Sequence, residues 1–321
     1  MKVAVTGAGG RLGSALRSAL AGSAAATEVL AWDLPEHNLD DPESAGRLVR
    51  EARPDLVIHA AAWTDVDGCA RDPALAMRRN GEAAGEMARA CAGTGAAMIA
   101  ISTNEVFDGL RLDRRPYQPT DRTGPGNPYG EAKLAGERLA RAAFGAAGAA
   151  FEGAALVPFQ SRLPSTPPLA IVRTSWLFGP PGADFPSKIL AAAERARAEG
   201  RPLDLVADEF ASPTYAPDLA RAIVGLVEVA ATQGKHVIGG IHHIVNAGQA
   251  SRAEWGREVL RVAGVAIDTR DVPLSAWPRP STPPAWGVLA PTPLPEGQLR
   301  GWKAALAEYL TSQPQAQEQP R

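Results

Sequence analysis

The chain has 321 residues, a formal net charge of −2, 45% hydrophobic and 21% charged residues, an ordinary globular composition with room for one large core or two joined lobes. That balance leaves no basic footprint for nucleic acid or an anionic membrane, and no apolar run reaches the roughly 18 residues that span a bilayer. Cys69 and Cys91 make neither a disulfide framework nor a C-x-x-C metal site. The first residues enter a strand directly, so no signal peptide and a cytoplasmic location are expected.

From the N-terminus, short β-branched or apolar runs at 3–6, 28–32, 56–59, 98–102 and 170–174 predict strands. Helices at 12–20, 42–51, 73–91 and 129–143 fall between them. This alternation predicts an α/β fold, a Rossmann-like, doubly wound parallel sheet covered on both faces and built from right-handed crossovers. After Trp176 the pattern loosens into helices at 187–198, 217–229, 252–262 and 296–310, with strands at 203–206 and 241–245. The expected division is a dinucleotide-binding domain at 1–176 and a mainly substrate-binding lobe at 177–321, with about 203–230 returning to the sheet. Residues 145–168 are rich in Ala, Gly and Pro and read as an insertion making a surface excursion. The proline-rich stretch 277–295 must be extended or turn-like, and the polar tail after Ser312 is expected to fray.

Three groups of residues carry chemistry. Gly7, Gly10 and Gly13 stand between the first strand and the first helix, where glycines allow a tight turn and close approach of a pyrophosphate to the helix start. Asp33 follows twenty residues after Gly13, where an acid accepts ribose hydroxyls. Arg11, Leu12, Asn38 and Leu39 are counted with these as cofactor-binding candidates. Asp33 should repel a 2′-phosphate and Arg11 partly offset that, so NADH or NADPH is the expected cofactor, both accepted.

The second group is Tyr129 and Lys133, four apart on one helix face. A Tyr-x-x-x-Lys arises by chance roughly 0.06 times in a chain of this composition, which has four tyrosines and only five lysines against 28 arginines. A neighbouring ammonium, together with the positive nicotinamide when the cofactor is oxidised, would draw the phenol from its ordinary pKa near 10 toward the working range. Lys also offers a compact donor that reaches ribose hydroxyls better than the wide Arg fork. The third group is Thr103, at the carboxyl end of the fourth strand, where ligands of open α/β sheets bind. It is suited to hydrogen-bonding a substrate carbonyl.

These residues belong to longer motifs: TGAGGRLG (6–13), AAAWTDVDGC (60–69), ISTNEVFDG (101–109), NPYGEAKLAGE (127–137), VRTSWLFG (172–179), SPTYAPDLA (212–220) and IHHIVNAGQASRAEW (241–255). Together they resemble the extended short-chain dehydrogenase/reductases, and within them the dTDP-4-dehydrorhamnose reductases. The resemblance implies NAD(P)H-dependent reduction of the 4-keto group of dTDP-4-dehydro-L-rhamnose to dTDP-L-rhamnose. It casts Tyr129 as proton donor, Lys133 as holder of the nicotinamide ribose and Thr103 as the group polarising the carbonyl. It also implies that Ala60, Ala61 and Ala62 line the cofactor cleft, that Asn80 steadies the neighbouring loops, and that Thr64, Val66, Asp67 and Trp176 form the sugar-side wall. Trp176 also reads as a core aromatic under the second lobe.

The chain departs from the family pattern at Asn104-Glu105, where Asp-Tyr is usual. It departs again at Gln118-Pro119, and at Thr282-Pro-Pro284, where Arg-Pro is frequent and Arg279-Pro280 lies nearby. Glu105, two residues after Thr103, is expected on a continuing extended segment facing the hexose. His242 and His243 read as structural, because neighbours on a strand face opposite ways. Magnesium assists some members of the family, but no acidic cluster here supports it, so no metal ligand is assigned. Two other readings stay open: another nucleotide-sugar reductase or epimerase, and a regulatory subunit that binds NADP without turnover. A nucleotide-sugar substrate is the expected partner, with neither nucleic acid nor membrane, and a homodimer stays open.

Overall fold

A computed structural model describes residues 1–146, 151, 153 and 168–312. Most of the 145–168 insertion and the tail after Ser312 lie outside the described residues. Strands β1 (Lys2–Thr6), β2 (Glu28–Trp32), β3 (Leu56–His59), β4 (Ala97–Thr103) and β5 (Leu169–Thr174) join Gly240–His243 in a six-stranded sheet. The order runs Gly240–His243, β5, β4, β3, β1, β2, and every pairing is parallel.

Alternation along the strands decides which residues face which helical layer. Val3, Val5, Leu56, Ile58 and Ile99 pack with Leu12, Leu16 and Leu20 of helix α1 (Arg11–Ala21) and with Leu219 and Ile223 of helix Ala216–Gln233. Ala4, Val57 and Met98 pack on the other face against α2 (Ser44–Ala52), α5 (Ala83–Thr94) and α6 (Pro128–Ala143). A further core around Phe178, Trp255, Leu306 and Tyr309 builds the second lobe. The order reverses at β1, which has β2 on one side and β3 on the other. A crevice opens there beyond the strands' carboxyl ends.

Several expectations need correction. The helix expected at 73–91 is a continuous helical path of three parts: α4 (Pro73–Ala76), a π-helical stretch Met77–Glu82, and α5. Apolar spacing does not separate a π turn from an α turn. A further helix, α3 (Val66–Arg71), starts directly after Asp65, whose side chain caps it. Strand Leu203–Val206 does not return to the main sheet but pairs with Thr269–Val272. Helix Ala216–Gln233 packs on α1, and Gly240–His243 supplies the sheet's sixth strand. The final helix is Trp302–Ser312 and not 296–310, because Gly297 takes a left-handed φ of 91° and a helix cannot run through it. His242 and His243 are both buried, with ring nitrogens paired to the carbonyls of Ile238 (2.8 Å) and Tyr117 (3.0 Å).

Candidate active site

The crevice is an open cleft of about 770 Å³ that carries the glycine loop at one end and Thr103, Tyr129 and Lys133 at the other. Gly7 has a φ of 62°, and a Cβ there would lie 2.8 Å from the Cα of Ala61. At Gly13 a Cβ would come within 2.0 Å of the Gly7 carbonyl oxygen. Both positions therefore demand glycine, and the loop folds tightly over the start of α1. Gly7, Gly10, Leu12 and Gly13 line the cleft with Asp33, Asn38 and Leu39 from the end of β2. Ala60, Ala61 and Ala62 follow from the end of β3. Thr6 Oγ1 pairs with His59 Nδ1 (3.0 Å) and accepts the Ala61 N–H (3.1 Å), locking these strand ends together. This cradle of small residues with one acid at its edge fits a dinucleotide pyrophosphate and its ribose.

Arg11 lines the cleft, but its guanidinium turns to the other lobe. Nη2 donates to the Ala183 carbonyl at 2.9 Å, and Nε donates to the Gly179 carbonyl. These bonds tie the glycine loop to the turn at 179–183.

At the chemical end, Asn127 caps α6 by accepting the Gly130 N–H at 2.9 Å, with Pro128 in the first turn. This start places Tyr129 and Lys133 on the cleft wall. Thr103, the last residue of β4, sits opposite Thr174 of β5. Lys133 is buried, and burial lowers its pKa to about 8 against the opposing pull of Glu137. Glu137 is itself held by Arg173 through Nε (2.9 Å) and Nη2 (2.7 Å), and by Ser102. Burial and the Lys133 charge push His59 down to about 3, so it is a neutral hydrogen-bonding group. The phenol of Tyr129 shifts opposite to expectation. Burial, Glu105 and Cys69 raise its pKa well above 10, and a hydrogen bond with Thr103 opposes them.

Thr64, Val66, Glu105 and Trp176 also line the cleft. The segment after Thr103 is a 3₁₀ turn, Asn104–Val106, and not an extended continuation. The Thr103 hydroxyl accepts the Glu105 N–H (3.2 Å), which turns the chain. The Glu105 carboxylate still faces the cleft and accepts from Asn127 Nδ2 at 2.7 Å. Trp176 adopts a φ of 41°, unusual for a bulky residue. Its ring stacks on Trp255 at 5.4 Å, which joins it to the second-lobe core.

Two expected residues lie off the wall. Asn80 is buried behind it and clamps Trp63, accepting its N–H (2.8 Å) and donating to its carbonyl (3.0 Å). Asp67 turns away to accept from Arg279 Nε (2.9 Å) and Ser281 Oγ (2.9 Å). Burial opposes its charge, but these bonds keep its carboxyl below the usual range. Sequence reading also passed over Phe185, Lys188, Arg252 and Trp255 on the second-lobe wall. The Ser251-x-x-Glu254 capping box was a legible signal for Arg252 at a helix start, and the box is present. Among the described residues no group of three or more His, Cys, Asp or Glu side chains is arranged to hold a metal ion.

A family model for the RmlD substrate binding domain matches residues 1–149 and 160–314. The chain belongs to this family. It is 34% identical to a dTDP-4-dehydrorhamnose reductase of Mycobacterium tuberculosis (strain CDC 1551 / Oshkosh), over 97% of this chain and 93% of that one. Among solved structures it resembles a dTDP-4-dehydrorhamnose reductase from Clostridium acetobutylicum with a TM-score of 0.81 and 27% identity, covering 97% of this chain and 99% of that one. The Bacillus anthracis dTDP-4-dehydrorhamnose reductase, solved in complex with NADP, gives a TM-score of 0.80 and 25% identity over 98% and 100% of the two chains. The match leaves out residues 150–159, inside the stretch read as an insertion.

Proposed function

We propose that this protein catalyses NAD(P)H-dependent reduction of the 4-keto group of dTDP-4-dehydro-L-rhamnose, or a close nucleotide sugar, to dTDP-L-rhamnose. The observation that carries the reading is one cleft with a dinucleotide cradle at one end and Thr103, Tyr129 and Lys133 at the other, in a chain of the reductase family. A bound nicotinamide dinucleotide supplies hydride to the carbonyl carbon. Thr103 donates a hydrogen bond to the substrate oxygen and orients it toward Tyr129. Tyr129 gives its proton to that oxygen as charge develops there, and the phenolate left behind is reprotonated from solvent. The phenol carries its proton at neutral pH, so the group reaches the substrate ready to donate it. Lys133 holds the nicotinamide ribose, and Asp33 takes the adenosine ribose hydroxyls. Thr64, Val66, Glu105 and Trp176 contact the hexose. We assign residues 1–176 to the dinucleotide half, residues 177–321 mainly to substrate closure, and the reaction to the cytoplasm. A panel of 4-keto nucleotide sugars scored by NAD(P)H oxidation tests the reading. Fastest turnover with dTDP-4-dehydro-L-rhamnose is expected, and turnover confined to other sugars would overturn the substrate assignment.

A further inference from the structure

Two cations stand on the second-lobe wall of the cleft, and the hydride and proton transfers use neither. Lys188 lies in the helix Phe185–Ala198, and Arg252 opens the helix Arg252–Val262. The Arg252 guanidinium is fixed from two directions. It lies over the Trp176 ring, 3.7 Å from its centroid, and 5.1 Å from that of Phe185. Its Nε (3.1 Å) and Nη2 (3.0 Å) both donate to Oε1 of the buried Glu209. Nη1 makes no hydrogen bond with a described residue, so one edge of the fork stays open. Lys188 comes three residues after Phe185, which puts the two on one helix face. Its side chain is exposed, and its ammonium has no ion pair or hydrogen bond among the described residues. Phe185 thus stands between the two cations.

We propose that Lys188 and Arg252 seat the diphosphate of the nucleotide-sugar substrate, Arg252 through its open Nη1 edge and Lys188 as a compact point charge. The inference rests on the reading of this protein as a nucleotide-sugar reductase, and it assigns the one part of the substrate that reading leaves without a partner. A diphosphate carries several negative charges and acceptor oxygens, which need charged donors once they leave water. The other lysines and arginines that line the cleft are Arg11, Arg79 and Lys133, and each is committed elsewhere. Arg11 donates to the Gly179 and Ala183 carbonyls, and Arg79 is paired with Asp40 at 2.7 Å. Lys133 lies one helical turn from Tyr129, at the nicotinamide ribose. Lys188 and Arg252 remain. The diphosphate is bonded directly to the hexose, so its seat must adjoin the hexose wall. Trp176, assigned to that wall, is the ring on which Arg252 lies, which gives the continuity. Because the guanidinium is already stacked and moored, little side-chain freedom is lost when the anion arrives.

The test needs no turnover. Calorimetry with NAD⁺ bound measures the dissociation constants of dTDP, which carries the diphosphate, and of thymidine, which does not. Lys188→Met and Arg252→Met should each weaken dTDP at least about tenfold, the scale of one charged hydrogen bond. Thymidine and NADH should bind each variant as they bind the wild type, and Lys188→Arg, which keeps the charge, should stay near the wild type for dTDP. Weaker NADH with unchanged dTDP would overturn the proposal and give the two cations to the cofactor's pyrophosphate. Equal losses for dTDP and thymidine would also overturn it, because the effect would then be one of packing and not of charge. A wild type that binds none of dTDP, UDP and GDP would do the same. Should Arg252→Met fail to fold, the exposed Lys188 decides alone through Lys188→Met. If dTDP binding depends on Lys188 as stated but no 4-keto sugar is reduced, the inference stands and the assigned reaction falls. If dTDP-4-dehydro-L-rhamnose is reduced with the same KM in both variants and the wild type, the reaction stands and the inference falls.

Discussion

Arg11 opens the first helix of the nucleotide half, yet its Nη2 donates to the carbonyl oxygen of Ala183 in the other lobe at 2.9 Å. The glycine loop is thereby tied to the turn that precedes helix Phe185–Ala198. Arg11→Met should cost about 1.5–3 kcal/mol of stability, the scale for hydrogen bonds from a charged donor. It should weaken NADH and NADPH together, because the guanidinium is spent on carbonyls. Chemical denaturation and cofactor titrations check both parts. A loss confined to NADPH would give Arg11 a phosphate role after all.

Asp33 is placed differently. Its Oδ1 accepts the Leu34 N–H at 2.8 Å and its Oδ2 accepts from the Gly9 N–H, so the carboxylate stands at the mouth of the cradle. Asp33→Ala should raise the affinity for NADPH relative to NADH, since a carboxylate repels a 2′-phosphate and binds ribose hydroxyls. The ratio of the two dissociation constants is the measurement. An unchanged ratio would remove Asp33 from cofactor discrimination.

Tyr129→Phe removes only the phenolic oxygen from a helix start fixed by Asn127 and Pro128. Fold and cofactor binding should persist while turnover falls about 10²–10⁴-fold, the range for lost general acid catalysis. Lys133→Met should reduce turnover and cofactor affinity together. Near-normal turnover in Tyr129→Phe would take the proton transfer away from this residue.

Strands and motifs were readable because their signals are local. β2 and β3 have the bounds expected from sequence, since short apolar runs between turn residues admit few other conformations. Tyr129 and Lys133 were readable because a spacing of four on a helix fixes their shared face. Asp67 and Arg11 were readable as cleft candidates but not as anchors, because their partners are distant: Asp67 meets Arg279 across 212 residues and Arg11 meets Ala183 across 172. The Tyr129 shift was misjudged for a related reason. A sequence shows Lys133 one turn away, but it does not show that Glu105 is folded against Gly130 or how far the fold desolvates the phenol.

Lys133 gives a pH signature in the protein without cofactor. Its pKa is 10.5 when solvated and about 8 in the folded chain, so the unfolded chain binds the proton more strongly between those values. Stability therefore rises with pH across that window as the burden of the buried ammonium is relieved. Against a Lys133→Met reference, which lacks this ionisation, the wild type should gain up to about 3 kcal/mol between pH 8 and 10.5. Paired denaturant melts at each pH measure the difference. A flat difference would mean that Lys133 remains well solvated in the folded protein.

The central claim is that one cleft delivers a hydride and a proton across the 4-keto group of a nucleotide sugar. The direct test uses NAD(P)H fully deuterated at the reactive nicotinamide carbon, with dTDP-4-dehydro-L-rhamnose as substrate and magnetic resonance of the product as readout. The prediction is dTDP-L-rhamnose carrying one deuterium at C4, formed in step with oxidation of the cofactor and strongly suppressed in Tyr129→Phe. Tight cofactor binding with no deuterium transferred to this or any other 4-keto nucleotide sugar would contradict the account and make the chain a binding protein.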